Sequence, residues 1–223
     1  MILHVTRHGQ TDVRSDHPPG DPRLTEVGRK QAELLGRRLK DDGFRGIIYS
    51  SPYLRTTETA QVIADVTHSV ILPAHEMREY VIREHQMDDF KGATLSDLTG
   101  AYSSVQDVRG LPTPWWTTGI ETDEDIEARV RPLIEEVSQL GEDALLVGHG
   151  ASVAGVHRHV LGTYAPNHIP EDQVGWNCML SSFRLSPRFE IIEIMDVSHL
   201  PDDHVTNNAK SREEVLAERE EAS

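Results

Sequence analysis

Cysteine is almost absent from this chain of 223 residues, since Cys178 is its only one. A single thiol cannot close an internal disulfide, and this usage is typical of proteins from reducing compartments. Long apolar runs are also missing, so no segment reaches the length that crosses a membrane. The first residues enter a strand-like pattern without the basic and apolar regions of a secretory signal. These absences predict a cytoplasmic protein without a membrane segment.

Positive charge is scarce as well, and lysine in particular. The chain has 22 Lys and Arg against 37 Asp and Glu, a net charge of −15, and only four of the basic residues are lysines. A surface this acidic repels phosphate backbones and anionic lipids, which argues against nucleic-acid and membrane partners. Any anionic substrate must therefore be held by a local group of arginines and histidines.

Short apolar runs alternate with helical patterns along most of the chain. The strand-like runs cover 2–6, 47–49, 70–72, 144–147, 179–185 and 189–195. Helical patterns begin after Thr25, after Pro52, at Thr122 and after Gly150. This alternation predicts an α/β three-layer sandwich with a mostly parallel central sheet.

Two segments depart from that alternation. Residues 73–121 are mostly polar, contain scattered glycine and proline and carry the pair Trp115 and Trp116, which we interpret as packing or lid residues. From residue 207 the sequence is charged and offers no core, although Ser211 and Glu214 have the spacing of a helix capping box. We expect a single domain over 1–206, with an insertion at about 73–121 over one end of the sheet, and a charged tail over 207–223.

Two predicted strands end in a histidine flanked by glycine. His8 follows Arg7 at the end of the first strand, and His149 lies between Gly148 and Gly150 after the fourth. Ligands of open α/β sheets bind outside the carboxyl ends of the strands, so both histidines can face one crevice. Arg55, near the start of the helix after the second strand, falls at the same end, although a simple ion pair with Glu58 would also explain it. The group has the composition of a phosphate cradle.

These stretches resemble the histidine phosphatase superfamily, whose members have the phosphoglycerate-mutase-like fold. The matching segments, in the order of the family, are Leu3-His-Val-Thr-Arg-His-Gly-Gln-Thr11, Leu24-Thr-Glu-Val-Gly-Arg-Lys-Gln-Ala32, Tyr49-Ser-Ser-Pro-Tyr-Leu-Arg-Thr-Thr-Glu-Thr-Ala60, Gly119-Ile-Glu-Thr122, Leu146-Val-Gly-His-Gly150 and Ser198-His-Leu-Pro201. Together they span nearly the whole chain. The resemblance implies a histidine phosphatase fold with a variable insertion over the active site.

The resemblance also implies roles for individual residues. His8 is expected to accept the phosphoryl group, while Arg7, Arg55 and His149 bind it and a downstream glutamate supplies a proton. Gln10 and Thr11, in the turn after His8, are included among the expected substrate contacts. The expected partner is a small phosphorylated molecule, and the sequence does not indicate an oligomeric state.

The chemistry is consistent without the family. A neutral imidazole is a competent nucleophile toward phosphorus and gives a phosphohistidine that water can hydrolyse. No metal-binding pattern is evident in the sequence, so fixed cations must stabilise the transferring group, and Arg7, Arg55 and a protonated His149 can do so. We expect neither a metal nor another cofactor.

Two glutamates compete for the role of general acid. Glu79 lies at the distance from the third strand that the family's Leu-Arg-Glu pattern predicts. Glu84 fits the family's spacing to the downstream Gly92, and only one of the two registers can hold. We favour Glu79, because a strand should fix its position better than a loop.

Other functions remain open alternatives. A phosphoglycerate-mutase-type phosphoryl transfer is one, but Arg14 stands where mutases have an asparagine and their glycine-rich stretch is absent, which favours a phosphatase. A second is a serine hydrolase using Ser152, which follows a strand and has Asp196 and either His199 or His204 downstream in the right order. A third is a family member that binds a phosphorylated ligand without catalysis.

Overall fold

The computed structural model describes residues 1–12, 21–81, 84, 87, 90–170, 174–208 and 210–222. Its main sheet consists of β1 (Ile2–Arg7), β2 (Ile47–Ser50), β3 (Ile71–Pro73), β4 (Ala144–Gly148), β5 (Leu180–Arg184) and β6 (Glu190–Asp196). The strands lie in the order β3-β2-β4-β1-β5-β6; the first four are mutually parallel, β5 is antiparallel to β1, and β6 is antiparallel to β5. The predicted α/β fold with a mostly parallel sheet is confirmed.

Helices cover both faces of this sheet. The helices are α1 (Glu26–Asp41), α2 (Leu54–Thr67), α3 (Leu95–Ala101), α4 (Asp123–Leu140), α5 (Gly150–Tyr164) and α6 (Arg212–Ala222). Successive side chains of a strand point to opposite faces, so β4 serves two cores. Leu146 packs in the core that includes α4 and α5, whereas Leu145 and Val147 pack in the core that includes α1 and α2. The result is the expected three-layer arrangement.

The insertion contributes packing at the carboxyl end of the sheet. The indole of Trp115 is buried, donates from Nε1 to the carbonyl of Ala93 at 2.8 Å and meets the ring of Tyr53 edge-on with centroids 4.7 Å apart. Gly92 allows this, because a Cβ there would come within 1.9 Å of the indole. Among the described residues, no helix is both long and apolar enough to cross a membrane.

The C-terminal segment, expected as a charged tail without a core, contains a hairpin, a helix and one residue that joins the core. Residues Thr206–Asn207 (β7) and Lys210–Ser211 (β8) form a small antiparallel hairpin, and α6 follows it. Ser211 and Glu214 make the predicted capping box, with the serine backbone N–H donating to the carboxylate at 2.7 Å. Val215 of α6 is buried and belongs to the same core cluster as Leu146. The short apolar stretch Val215–Ala217 in a charged helix was too weak a signal to show this burial.

Candidate active site

The two histidines meet at the carboxyl ends of neighbouring strands. Arg7 pairs with Gly148 in the parallel β1–β4 register, and the backbone N–H of His8 donates to the carbonyl of Gly148 at 3.0 Å. The rings of His8 and His149 lie edge to face with centroids 5.3 Å apart, and both side chains are buried. The sheet register therefore places these histidines together, as the sequence predicts.

Gly9 and Gly148 allow close packing of the backbone next to the two histidines. A Cβ at Gly9 would lie 2.5 Å from the carbonyl oxygen of Gly28, so the turn after His8 packs directly on α1. A Cβ at Gly148 would lie 2.5 Å from the hydroxyl of Ser152 and 2.6 Å from the Met77 methyl. Real Cβ atoms do not approach other atoms this closely, so a larger residue at either position would displace a histidine-bearing turn.

Hydrogen bonding fixes the tautomer of His8. Its Nδ1 lies 2.8 Å from the carbonyl oxygen of Gly9, and because a carbonyl can only accept, Nδ1 carries the proton. The lone pair of the neutral ring is therefore on Nε2. Burial, followed by the positive charges of Arg7 and Arg55, holds the pKa of His8 well below its ordinary value. His8 is thus a neutral imidazole with one nucleophilic nitrogen.

Arg7 is buried and held by the C-terminal part of the chain. Its Nη1 donates to the carbonyl of Gly175 and to Asn207 Oδ1, the latter at 2.8 Å, and its Nη2 donates to Asn208 Oδ1. Burial lowers its pKa to about 10, which leaves the guanidinium charged at neutral pH. Neither asparagine was predicted, because both fall in the segment interpreted as a tail.

Arg55 occupies the first turn of α2 and is also buried. Its Nη1 lies 3.3 Å from Asp21 Oδ1, and its guanidinium lies 4.9 Å from the centre of the Tyr53 ring. The Asp21 carboxylate also accepts the backbone N–H of Leu54, at 2.8 and 2.9 Å. The carboxylate of Glu58 pairs with two other arginines, Arg23 at 2.5 Å and Arg29 at 3.2 Å.

Asp21 was missed because it ends a stretch that has only turn signals in the sequence. Its carboxyl group is buried, and burial raises its pKa to about 6 despite the opposing charge of Arg55. A buried carboxylate of this kind compensates the charge of the arginine that it contacts. Arg55 is therefore locked to the start of α2 by an ion pair.

Glu79 lies beside this group. Its Oε2 is 3.5 Å from His149 Nδ1 and 3.8 Å from Arg55 Nη2, while its Oε1 accepts the backbone N–H of Tyr80 at 3.1 Å. Burial raises its pKa, although Arg55 and the bond from Tyr80 act in the opposite direction. Glu84, the competing candidate, is exposed. The structure thus brings Glu79 to the histidines, and its role as the acid stays a prediction.

The segment that carries Glu79 is clamped from α4 and the insertion. Arg129 donates to the carbonyls of Glu76 and Arg78, the second at 3.1 Å, and Thr117 Oγ1 donates to the carbonyl of Glu79 at 2.8 Å. Glu121 accepts from Arg129 at 2.8 Å. The only sequence signal for this clamp was Glu121, which falls in one of the motifs matched above.

His149 differs from the expectation in its charge. Its Nε2 lies 2.9 Å from the hydroxyl of Ser51, and the ring is fully buried. Burial, together with Arg55, His8 and Arg7, lowers the pKa of His149 well below its ordinary value. The ring is therefore neutral in this state, unlike the protonated His149 expected beside a transferring phosphoryl group, and that expectation stays a prediction. The same cations that recruit an anion also repel a proton from the ring.

The two other predicted contacts lie in the turn after β1. The side-chain oxygen of Gln10 accepts from the hydroxyl of Thr25 at 2.8 Å, at the start of α1. Thr11 is buried and forms an isolated β-bridge with Leu24. Both residues thus join the turn to α1, and their contact with substrate stays a prediction.

Ser152 does not have the geometry of a nucleophile elbow. It is fully buried inside the first turn of α5, where its hydroxyl accepts the backbone N–H of His149 at 2.9 Å and donates to the carbonyl of His149 at 3.2 Å. The hydroxyl therefore stabilises the helix start that presents His149. The serine-hydrolase alternative fails for this reason.

In the part of the chain that the structure describes, no three His, Cys, Asp or Glu side chains are grouped so that they could hold a metal ion. The prediction of activity without metal is a matter for experiment. Arg14, which stands where mutases have an asparagine, lies outside the described residues.

Comparison with known proteins identifies the family of the chain. The model of the histidine phosphatase superfamily (branch 1) matches residues 3–195. A curated relative, "Probable phosphoglycerate mutase GpmB" of Yersinia pestis (strain Pestoides F), is 27% identical over 184 residues, which cover 81% of this chain and 83% of the relative.

Solved structures show the same fold. The ecdysone phosphate phosphatase of Bombix mori, in complex with tungstate, has a TM-score of 0.68 at 19% identity and covers 96% of this chain and 99% of its own. Bacillus stearothermophilus YhfR has a TM-score of 0.63 at 22% identity, over 89% and 98%. A mycobacterial glucosyl-3-phosphoglycerate phosphatase with VO3 has a TM-score of 0.61 at 24% identity, over 88% and 99%.

Proposed function

The chain belongs to the histidine phosphatase superfamily, and from that premise we propose that it hydrolyses a small phosphomonoester through a phosphohistidine at His8. The observation that carries the proposal is the state of the His8 ring. It is neutral, its proton is fixed on Nδ1 by the Gly9 carbonyl, and two buried arginines lie beside it. Such a nitrogen can attack phosphorus without prior loss of a proton.

In the first step, His8 Nε2 attacks the phosphorus atom in line with the ester oxygen. The N–P bond forms, the P–O bond to the alcohol breaks, and the departing oxygen takes a proton from Glu79. The raised pKa of Glu79 supports this role, because an acid must still hold its proton when the leaving group departs. Arg7 and Arg55 stabilise the negative charge on the three equatorial oxygens.

In the second step, water attacks the phosphohistidine. The ionised Glu79 takes a proton from this water, the new P–O bond forms and the N–P bond breaks. Inorganic phosphate leaves, and His8 returns to its neutral form with the proton still on Nδ1. His149 contributes its ring N–H as a hydrogen-bond donor, and the dianion bound beside it favours its protonation.

A mutase-type transfer is the second candidate, because the curated relative carries that name. The two functions differ in the fate of the phosphoryl group: a phosphatase releases inorganic phosphate, whereas a mutase returns the group to a phosphoglycerate. Incubation with 3-phosphoglycerate distinguishes them. We expect release of inorganic phosphate from phosphomonoesters, without isomerisation of 3-phosphoglycerate.

The test of the proposal is the covalent intermediate. Rapid quenching during turnover should trap an acid-labile, base-stable phosphoryl group, and peptide mapping should place it on His8. The His8→Ala protein should lose both the intermediate and turnover, whereas the control His168→Ala, an exposed histidine far along the chain, should keep both. Substantial phosphatase activity in His8→Ala would refute the proposal.

A further inference from the structure

Arg7 is held by two side chains, Asn207 and Asn208, that lie 200 and 201 residues later in the chain. We propose that Asn207 and Asn208 are positioning residues of the active site, which orient the Arg7 guanidinium so that one of its edges is kept for the phosphoryl group. The inference rests on the proposed function for the identity of that group, and on the hydrogen bonds of Arg7 for the rest.

The donors of Arg7 can be assigned one by one. A guanidinium has five N–H donors in a rigid plane. Three of them go to Gly175 O, Asn207 Oδ1 and Asn208 Oδ1, which use both hydrogens of Nη1 and one of Nη2. Nε is buried and has no hydrogen-bond partner among the described residues. Nε shares one edge of the guanidinium with Nη2, and that edge is the fork that binds two oxygens of an oxyanion.

The hairpin that carries the asparagines is fixed to the backbone around His8. The backbone N–H of Asn177 donates to the carbonyl of Thr206 at 2.8 Å, and Asn177 Nδ2 donates to the carbonyl of His8 at 2.9 Å. Gln31 Nε2 donates to Thr206 Oγ1 at 2.9 Å, and Gln31 Oε1 accepts the backbone N–H of Gln10 at 2.8 Å. The hairpin, His8 and the following turn are therefore one hydrogen-bonded unit.

The backbone of Asn208 is consistent with a specific role. Its φ is 54°, in the left-handed region that asparagine adopts more readily than most residues. The side chains of Asn207 and Asn208 are uncharged. Their amide oxygens therefore orient Arg7 without neutralising its positive charge. In a protein with a net charge of −15, anchors that carry no negative charge leave the Arg7 guanidinium available to attract an anion.

The experiment uses the Asn207→Ala/Asn208→Gly protein, because glycine keeps the left-handed backbone accessible while it removes the side chain. Its affinity for orthovanadate, measured by calorimetry, should fall by about 10- to 100-fold, the loss that a misplaced binding group causes. The melting temperature should stay within about 4 °C of the wild-type value. Asn167→Ala, which removes an exposed asparagine from another surface, should leave the affinity unchanged.

A double-mutant cycle with Arg7 distinguishes a positioning role of the asparagines from a merely structural role. In the Arg7→Ala background, the same pair of substitutions should cause no further loss of kcat/KM toward an aryl phosphate, because the asparagines act through Arg7. A loss as large as in the wild-type background would overturn the inference, and so would wild-type vanadate affinity in the double variant. If the double variant does not fold, Asn207→Ala alone decides in the same two measurements.

The two proposals can fail separately. If the wild-type protein binds vanadate but hydrolyses no phosphomonoester, the proposed function fails while the vanadate affinities still decide the role of the asparagines. If the wild-type protein turns over substrate and the asparagine variants keep full vanadate affinity, only the positioning role fails.

Discussion

The two arginines of the candidate site are anchored by opposite chemistry. Arg7 is held by neutral oxygens, from Gly175, Asn207 and Asn208, whereas Arg55 is held by the carboxylate of Asp21 and lies 3.8 Å from that of Glu79. The anchors of Arg7 therefore carry no negative charge, whereas a carboxylate pairs with Arg55. The surroundings of Arg7 thus consist of neutral acceptors, whereas Arg55 lies beside two carboxyl groups whose pKa values are raised by burial, Asp21 and Glu79.

The first prediction concerns proton transfer by Glu79, which lies beside Arg55, and it has the largest expected effect. Glu79→Gln should slow hydrolysis of alkyl phosphates by about 10²- to 10⁴-fold, the usual contribution of a general acid. Aryl phosphates with activated leaving groups should be slowed far less, because their leaving groups need little protonation. Steady-state kinetics on both substrate types provide the measurement.

The matched control for that prediction is Glu84→Gln, which changes an exposed glutamate in the same segment and should have near-normal rates. The reverse pattern would assign the acid to Glu84. An equal loss on both substrate types would mean that Glu79 supports binding of the phosphoryl group rather than proton transfer.

The second prediction compares the charged anchor of Arg55 with the neutral anchors of Arg7 through the unfolding free energy. Arg55→Ala leaves the buried carboxylate of Asp21 without its cation, and breaking such a pair costs about 3–5 kcal/mol of unfolding free energy. Arg7→Ala leaves only neutral acceptors unpaired, which costs about 1–3 kcal/mol. Urea denaturation at pH 7 should rank the variants in this order, although both should lose most of their activity.

A double variant checks the cause of that difference. Arg55→Ala/Asp21→Asn removes the unpaired charge and should recover a large part of the lost stability without recovering activity. Equal stability of the two single variants would show that the contrast between charged and neutral anchors has no energetic consequence.

The sequence predicted the positions of His8, His149 and Arg55 better than it predicted the residues that anchor the two arginines. His8 and His149 could be placed together because the carboxyl ends of parallel strands share one edge of the sheet, and that inference needs only two strand patterns. The helix start that carries Arg55 follows from the second strand in the same way. Local rules were therefore sufficient wherever strand ends determine position.

The anchors depend on contacts between distant segments, and no local pattern contains them. Asn207 and Asn208 are 200 and 201 residues from Arg7, in a stretch whose charge indicates a solvated tail. Asp21 follows a run of turn residues, where an aspartate is unremarkable in sequence. The lowered pKa of His149 has no sequence signal either, because burial and the charges of Arg55, Arg7 and Arg129 act on the ring only in the folded chain.

The last prediction separates the two anchors by pH. The pKa of Asp21 rises from an ordinary value of 3.8 to about 6 in the folded protein, mainly through burial. The folded state therefore binds the proton more tightly than the unfolded state, so this group's stabilising contribution is complete below about pH 4 and is lost as pH rises to about 6. A shift of about two pKa units corresponds to about 3 kcal/mol.

Relative to Asp21→Asn, the wild-type protein should thus lose roughly this much unfolding free energy between pH 4 and pH 7. The constant cost of leaving Arg55 without its carboxylate cancels, because only the change with pH is compared. Asn207→Ala, on the neutral side, should shift the unfolding free energy by the same amount at both pH values. Parallel pH profiles for the wild type and Asp21→Asn would show that Asp21 is already ionised at pH 4 and that the Arg55 anchor does not titrate.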